Sequence, residues 1–337
     1  MATRNIEIIK GLTLSRIWNI FLLKFSFFIS RVVKKPIHWG TPIAISIEPT
    51  TACNLKCPEC PSGLRQFTRP TGNLKTDINT KILTNLGKNL QYINYYFQGE
   101  PFINPNFLDF VKLARAKNIY VLTSTNAHFI SKKTAHSIID SGLSELIISI
   151  DGTTQETYSN YRIEGELNTV LDGLKNISNA KSERKSKLPI VTLQFLVTQQ
   201  NEHQIEEIKA LKEKYNADNL SLKTIQVYDY KNGNDLLPKN EKHSRYKKLK
   251  DGTFNLKNKM SNHCWRLWST CVFTWDGKIV PCCFDKDAQY QMGELSKSEF
   301  NTIWKSGLYS DFRKKVLKNR QSIDICSNCS EGSKIWI

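Results

Sequence analysis

The 337-residue sequence has no uninterrupted apolar run long enough to cross a bilayer as a helix. No small-x-small cleavage site follows its apolar N-terminal stretch, which argues against a secretory signal. No repeat of the solenoid type is visible. Acidic residues are scarce: 31 Asp and Glu stand against 48 Lys and Arg, a formal charge of +17. That excess suits nucleic acid, an anionic membrane or an acidic peptide. The longest basic runs, such as Lys242 to Lys250, lack the regularly interleaved aromatics of a stacking platform, so no specific nucleic-acid partner is expected. A solvated Lys-rich surface is the plainer reading. Nine cysteines in a chain this long do not make a disulfide scaffold. Three sit near the start and six near the end, which favours metal or cluster ligation in a reducing, cytoplasmic compartment.

The first three cysteines have no fourth beside them. Cys53, Cys57 and Cys60 form a C-x3-C-x2-C run directly after an apolar stretch that reads as a strand, Ile43–Glu48. Asn54 and Pro58 are turn-tolerant and let the backbone wrap, so the three sulfurs can converge. A cubane [4Fe-4S] cluster usually takes four thiolates. Three leave one iron with an open position. A zinc site fits less well, since it wants four ligands, commonly in paired C-x2-C units.

Downstream the chain alternates strand and helix patterns. Helical spacing covers Asp77–Leu90, Asn106–Lys117, Ser131–Ser141, Leu167–Ala180 and Glu202–Tyr215. Strand patterns cover Tyr92–Phe97, Tyr120–Thr125, Glu145–Ile150, Ile190–Val197 and Leu220–Val227. With the first strand, this makes six strand–helix repeats suited to parallel strands and right-handed crossovers. Periodicity alone allows a flat doubly wound sheet or a partial barrel. In parallel barrels functional residues sit at the C-terminal strand ends, where the cysteine triplet falls.

At that triplet the sequence resembles the radical S-adenosylmethionine (radical SAM) superfamily. The resemblance implies an α/β fold, a partial (β/α)6 TIM-like barrel with a small C-terminal α+β cluster-binding domain. It implies SAM chelated at the open iron of the Cys53, Cys57, Cys60 cluster, and reductive cleavage to a 5′-deoxyadenosyl radical that abstracts a substrate hydrogen. The family often places an aromatic residue after the second cysteine; Pro58 stands there instead. Gln98-Gly99-Glu100 is similar to the family's Gly-Gly-Glu segment at the SAM amino group, with Gln98 in place of the first glycine. Ser124 and Asn126 after the third strand, and Ser149 and Asp151 after the fourth, resemble segments that reach the SAM ribose or methionine carboxylate. Arg162 matches an arginine that pairs with that carboxylate, which a guanidinium can hold bidentately. A surface ion pair is the plainer role for Arg162. Gln194, Val197, Thr198 and Asn201 are placed near adenosine by the same likeness.

The six late cysteines are Cys264, Cys271, Cys282, Cys283, Cys326 and Cys329. Phe273 to Val280 reads as a hairpin with an Asp276-Gly277 turn, Glu299–Leu317 as one helix, and Cys326-Ser327-Asn328-Cys329 closes the region. The order resembles the C-terminal SPASM or Twitch extensions of radical SAM enzymes. A two-cluster SPASM domain needs seven cysteines, so the likeness implies one auxiliary [4Fe-4S] cluster. Its expected ligands are Cys264, Cys282, Cys326 and Cys329, with Cys283 able to replace Cys282. Cys271 lies in an apolar strand and reads as a buried small hydrophobe. Zinc in a structural role is the other reading of this set.

The domains expected are therefore an N-terminal amphipathic segment (1–40), a radical SAM core (41–230), a polar connector with one helix at most (231–262) and the auxiliary cluster domain (263–337). In the N-terminal segment Leu14, Trp18, Phe21, Leu22, Phe25, Phe28, Ile29 and Val32 share a helical face. Arg16, Asn19, Lys24, Ser26, Ser30 and Arg31 lie opposite, with Ile20, Leu23 and Phe27 intruding. An interfacial helix making peripheral membrane contact and a helix packed on the protein itself both fit. The expected function is radical SAM oxidation or modification of a small-molecule, lipid-linked or peptide substrate, with a flavodoxin- or ferredoxin-type reductant. No catalytic base can be assigned. No recognisable peptide-leader module is visible, which leans towards a small or lipid-linked substrate. The competing class is a non-catalytic iron–sulfur electron-transfer or zinc-binding protein.

Overall fold

The computed structural model describes residues 2–258 and 260–332. Two helices come first, α1 (Ala2–Lys10) and α2 (Leu14–Val33), then β1 (Ala44–Ile47), the short α3 (Pro61–Leu64) and α4 (Thr76–Leu86). The alternation follows as β2 (Tyr92–Asn94), α5 (Phe107–Arg115), β3 (Tyr120–Thr125), α6 (Lys132–Asp140) and β4 (Glu145–Ser149). It continues with α7 (Gln155–Tyr161), α8 (Leu167–Glu183), β5 (Ile190–Val197), α9 (Ile205–Lys214) and β6 (Asn219–Thr224). The remainder is a β7–β8 hairpin (Tyr246–Lys248, Phe254–Leu256), α10 (Arg266–Ser269), β9 (Thr270–Phe273), β10 (Lys278–Val280), β11 (Gly293–Glu294), α11 (Phe300–Trp304), α12 (Gly307–Asn319) and α13 (Asp324–Ser327).

Strands β1 to β6 pair in sequence order and in parallel, as the six repeats predict. Helices cover one face of the sheet, so the strands carry long buried runs such as Leu146, Ile148 and Leu193. The partial barrel is extended in a way the sequence did not indicate. β9 pairs in parallel with the free edge of β1, and β10 and β11 continue antiparallel. One nine-stranded sheet results, in the order β11-β10-β9-β1-β2-β3-β4-β5-β6. The cysteine-rich C-terminal segment thus hangs from the strand that delivers the first cysteine loop.

Three local readings are corrected. The strand predicted over Tyr92–Phe97 stops at Asn94, and the next residues form the loop that carries Gly99. The connector holds an antiparallel hairpin and a single 3-10 turn rather than an α-helix. The single helix expected over Glu299–Leu317 is two, because Ser306 accepts from the amide of Tyr309 and starts a new helix at Gly307.

α2 packs on the protein with its polar side. Arg16, Asn19, Ser26 and Ser30 are buried together with the intruders Ile20, Leu23 and Phe27. Each polar group there has a built partner. Arg16 donates to the carbonyls of Gly11, Gly87, Lys117 and Asn118. The Asn19 amide brackets Thr41 through Nδ2 to its carbonyl and Oδ1 from its amide. Ser30 exchanges hydrogen bonds with Ile37. Phe27 meets Trp265 and Trp268 edge-on at 5.3 and 5.2 Å. These partners lie where helices end and strands begin, so α2 closes the N-terminal end of the sheet.

Replacing Arg16 with Met strands four carbonyls at a buried end of the sheet. Hydrogen bonds to a charged group are worth about 1.5–3 kcal/mol each at most, so we expect a loss of about 3 kcal/mol. The thermal midpoint of the apoprotein should fall by roughly 5 °C or more. Phe21→Ser, on the exposed side of the same helix, should move it little.

Candidate active site at the cysteine loop

All six repeat strands and β9 point their C-terminal ends to one edge. The loop after β1 crosses that edge, and three later strand ends close on it. Cys53, Cys57 and Cys60 are free thiols. Each is met by one side chain from a different segment, two of them past strand ends and one at the end of a helix. The Asn126 amide, past β3, points Nδ2 at Cys53 Sγ at 3.9 Å. Arg162, after α7, reaches Cys57 Sγ with Nη1 at 3.7 Å. The Cys60 thiol lies 4.0 Å from Gln98 Oε1, past β2. The candidates that sequence scattered over a hundred residues are thus gathered around three sulfurs.

The second shell of this loop is tightly specified. Glu100 is buried; it accepts from the Thr125 hydroxyl at 2.7 Å and from the Asn126 amide at 2.8 Å. Burial outweighs those bonds and pushes its pKa up to about 7. Gly99 adopts φ +74°, and a Cβ there would collide with the Thr50 carbonyl, so only glycine lets this loop lie against the cysteine loop. Its amide donates to Ser62 Oγ at 2.8 Å, and that hydroxyl also lies 3.5 Å from Gln98 Oε1. Ser62 was not singled out from sequence, and Asn54, which accepts from Asn126 at 2.7 Å, was read only as a turn residue. Their position within and just after the triplet was the available signal.

Ser124 and Ser149 face each other across neighbouring strands at 3.4 Å. Asp151 is differently engaged from the expected open ribose acceptor. Its Oδ2 takes the Arg162 Nε–H at 2.6 Å and its Oδ1 takes the Leu196 amide at 2.7 Å. The pair is buried, which makes Arg162 a fixed guanidinium beside Cys57 rather than a surface ion-pair partner. Asn201 ties the β4 and β5 ends by donating to the Asp151 and Leu196 carbonyls, a bracing role. Thr198 is buried and donates its amide to Asn201.

Burial raises the Cys53 thiol to about 12 and lifts Cys57 as well, so these two favour the thiol form until a cation offsets the charge. Binding iron there must release protons. Among the described residues, no three His, Cys, Asp or Glu groups converge on a single-ion position. A tetrahedral zinc needs such convergence, with sulfurs about 2.3 Å from one centre. A cubane gives each thiolate its own iron, so its sulfurs need not share one centre. The donor set and the glycine cradle therefore fit a cluster with three protein ligands.

The later cysteines form a second site. Cys264, Cys282, Cys326 and Cys329 line one small cavity with Leu267, Phe312 and Val316. Burial raises Cys326 to about 11. Arg320 donates to Cys329 Sγ at 3.2 Å and offers the charge to steady thiolates. Cys283 does not line this cavity. Its sulfur accepts from the neighbouring Cys282 thiol and lies 3.9 Å from Arg266 Nη1; that hydrogen bond first, then the guanidinium, favours its thiolate. Cys271 is fully buried in β9 near Tyr309 and Arg313, apart from the cavity.

A parallel α/β sheet, opened at its C-terminal edge around three thiols and joined to a second thiol-lined cavity, defines a cluster-binding partial barrel. Family models match both parts: the radical SAM superfamily over residues 47–211 and an iron–sulfur cluster-binding domain, SPASM, over 264–330. The chain belongs to the radical SAM superfamily and carries a SPASM domain. It is 28% identical to a PqqA peptide cyclase from Bradyrhizobium diazoefficiens, over 59% of this chain and 51% of that protein. It is 31% identical to the mycofactocin maturase MftC of Mycolicibacterium smegmatis, over 52% and 43%. The chain spans about half the length of these two relatives. A tungsten-containing aldehyde ferredoxin oxidoreductase cofactor-modifying protein of Pyrococcus furiosus matches at 23% over 84% and 86%. Among solved structures, BtrN in complex with AdoMet and 2-DOIA aligns with TM-score 0.54 at 18% identity, over 87% and 94%. Streptococcus suis SuiB bound to S-adenosylmethionine aligns with TM-score 0.61 at 16% identity, over 86% and 72%. These structures share the fold.

Arg162→Met leaves the Asp151 carboxylate buried without its cation. The expected cost to apoprotein stability is about 3–5 kcal/mol, and adding Asp151→Asn should recover much of it. Unfolding midpoints of the two variants and the double variant measure that coupling. Losses that simply add in the double variant would show that the pair is not coupled.

Proposed function

We propose that the protein is a radical SAM enzyme that modifies a peptide, with one auxiliary cluster. The observation that supports this most is the three-thiol loop whose sulfurs are each contacted by a side chain from a separate later segment, while the other six cysteines lie in the C-terminal segment. In this reading Cys53, Cys57 and Cys60 hold a [4Fe-4S] cluster. Cys264, Cys282, Cys326 and Cys329 hold the auxiliary cluster. When bound, SAM at the first cluster supplies a 5′-deoxyadenosyl radical that takes a substrate hydrogen.

The chain's own groups then have distinct tasks. Glu100 is the acceptor for the cofactor's ammonium group, with the neighbouring Gln98-Gly99 backbone. Ser124, Ser149 and Asn126 offer hydroxyl and amide groups to the ribose and methionine carboxylate. Arg162, held by Asp151, presents its free guanidinium edge to that carboxylate. Arg266 and Arg320 neutralise thiolates at the second site. The peptide substrate class is supported by the relatives, among them a peptide cyclase and SuiB bound to precursor peptide SuiA. A small-molecule or lipid-linked substrate is the second reading, since the BtrN complex holds 2-DOIA. The charge of +17 complements an acidic reductant of the flavodoxin or ferredoxin class. The domain division at 40, 230 and 262 and a cytoplasmic location belong to this reading, as does peripheral membrane contact through the N-terminal segment. No single described helix is long and apolar enough to cross a membrane.

Anaerobic reconstitution tests the proposal. Near eight irons per chain and formation of 5′-deoxyadenosine on reduction with SAM are expected. Cys57→Ala should leave about four irons and no 5′-deoxyadenosine, whereas Cys283→Ala should keep near eight. An intact cluster that never yields 5′-deoxyadenosine overturns the enzyme reading in favour of simple electron transfer.

The pH dependence is set by Glu100. Its pKa is raised in the fold to about 7, so the protonated form is favoured there. Its stability contribution is full below the ordinary value of 4.5 and is lost as pH rises through about 7. SAM affinity runs the other way, because the ammonium group selects the carboxylate. Equilibrium dialysis should show affinity rising between pH 6 and 8. Glu100→Gln should flatten that profile and weaken binding about tenfold, ~1.4 kcal/mol.

A further inference from the structure

The outward side of α2 is the wrong way round for a helix that faces only water. Its polar stripe is buried and its aromatic stripe is exposed. Trp18, Phe21 and Phe25 stack in a ladder, with centroids 5.3 and 5.7 Å apart, and Trp39 adds to its end at 5.7 Å. These four rings and Phe28 are each 45–61% exposed. At about 150–250 Å² per aromatic, they alone present on the order of 500 Å², as large as the biggest patch on a typical monomer. Leu14 and Val32 extend the stripe at 87% and 65% exposure.

The surroundings select the occupant. No Asp or Glu occurs between Glu7 and Glu48. Lys10, Arg31, Lys34 and Lys35 are exposed around the stripe, and Lys24 is half-buried beside it. A second copy of this chain would bring the same cations face to face, which disfavours a symmetric dimer. Tryptophan rings and flanking lysines suit the headgroup layer of an anionic bilayer. A spanning role does not suit the folded state, since seven of the twenty α2 residues are buried against the protein and α1 meets it at 101°. The position on the fold adds direction. α2 covers the N-terminal strand ends, while Cys53, Cys57 and Cys60 lie at the C-terminal ends.

We propose that the exposed face of α2 docks on an anionic phospholipid bilayer and holds the closed end of the sheet against it. The cysteine edge then faces water, and the substrate arrives from the aqueous side rather than from within the lipid. This rests on the membrane contact read above and narrows it to one face, one lipid charge and one orientation.

The test uses the full reconstituted protein in flotation with phosphatidylcholine vesicles, with and without phosphatidylglycerol. Binding to the anionic vesicles, at least tenfold weaker on neutral ones and weakened by salt, is expected. A Trp18→Ser, Phe21→Ser, Phe25→Ser variant should keep its iron content and lose flotation, and Lys34→Glu with Lys35→Glu should weaken it about tenfold. Hydrogen exchange on vesicles should slow over residues 14–39 and stay unchanged over 53–66. Slowing over 53–66 would overturn the orientation while leaving membrane contact in place. Equal binding to neutral vesicles overturns the anionic selection. No flotation, or a concentration-dependent dimer that protects 14–39 without lipid, overturns the docking surface altogether. The 5′-deoxyadenosine assay in solution reads the catalytic proposal independently of all these outcomes.

Discussion

β1 is hydrogen-bonded along both edges, to β2 on one side and β9 on the other, and the remaining architecture depends on that double pairing. It is only four residues long. On one side it starts the run of parallel strands whose ends supply Gln98 and Asn126, and Asp151, which fixes Arg162. On the other it anchors the hairpin that leads to Cys282. The loop it releases carries three thiols, so both cysteine sets take their positions from one short strand. A sheet is stiff along its hydrogen-bonded ladder, and this makes the relative placement of the two sites a backbone property.

Polar contacts finish what the strand begins. Glu48, at the end of β1 and buried, takes both terminal nitrogens of Arg69 at 2.8 and 2.5 Å and the amide of Trp275 at 3.2 Å. Arg69 also reaches the Lys286 carbonyl, and Thr68 holds the Asp287 carboxylate. Trp275 donates to the Pro70 carbonyl and lies flat over Gly72, where any Cβ would meet the ring. The segment after the cysteine triplet is thereby stapled to the C-terminal hairpin. Removing one partner of a buried pair like Glu48–Arg69 is far more costly than the pair is stabilising, so the staple specifies geometry more than it adds stability.

The same logic explains α2. A helix normally buries apolar residues because water rejects them. Here Ile20, Leu23 and Phe27 share the buried side with polar groups, of which the Arg16 guanidinium, the Asn19 amide and the Ser30 hydroxyl reach main-chain groups outside the helix. The end of a sheet exposes carbonyls and amides, and a polar stripe satisfies them where leucines could not. The aromatic stripe is left outside as a consequence.

Much of this was legible in the chain itself. The six-fold alternation of strand and helix patterns, the spacing of Cys53, Cys57 and Cys60, and polar residues at successive strand ends are periodic or local signals. They gave six parallel strands, and the resemblance to the radical SAM superfamily that they carry selected the partial barrel and named most residues around the sulfurs. Other features have no local signature. The pairing of β9 with β1 joins residues more than two hundred positions apart. The engagement of Asp151 by Arg162 and Leu196, the exclusion of Cys283 from the cavity that Cys282 lines, and the inversion of α2 all depend on which surface a neighbour presents. Periodicity reports that a helix has two faces or a strand has a buried side. Only the tertiary structure decides which face meets the protein, because that choice is made by the leftover hydrogen-bonding groups of distant segments.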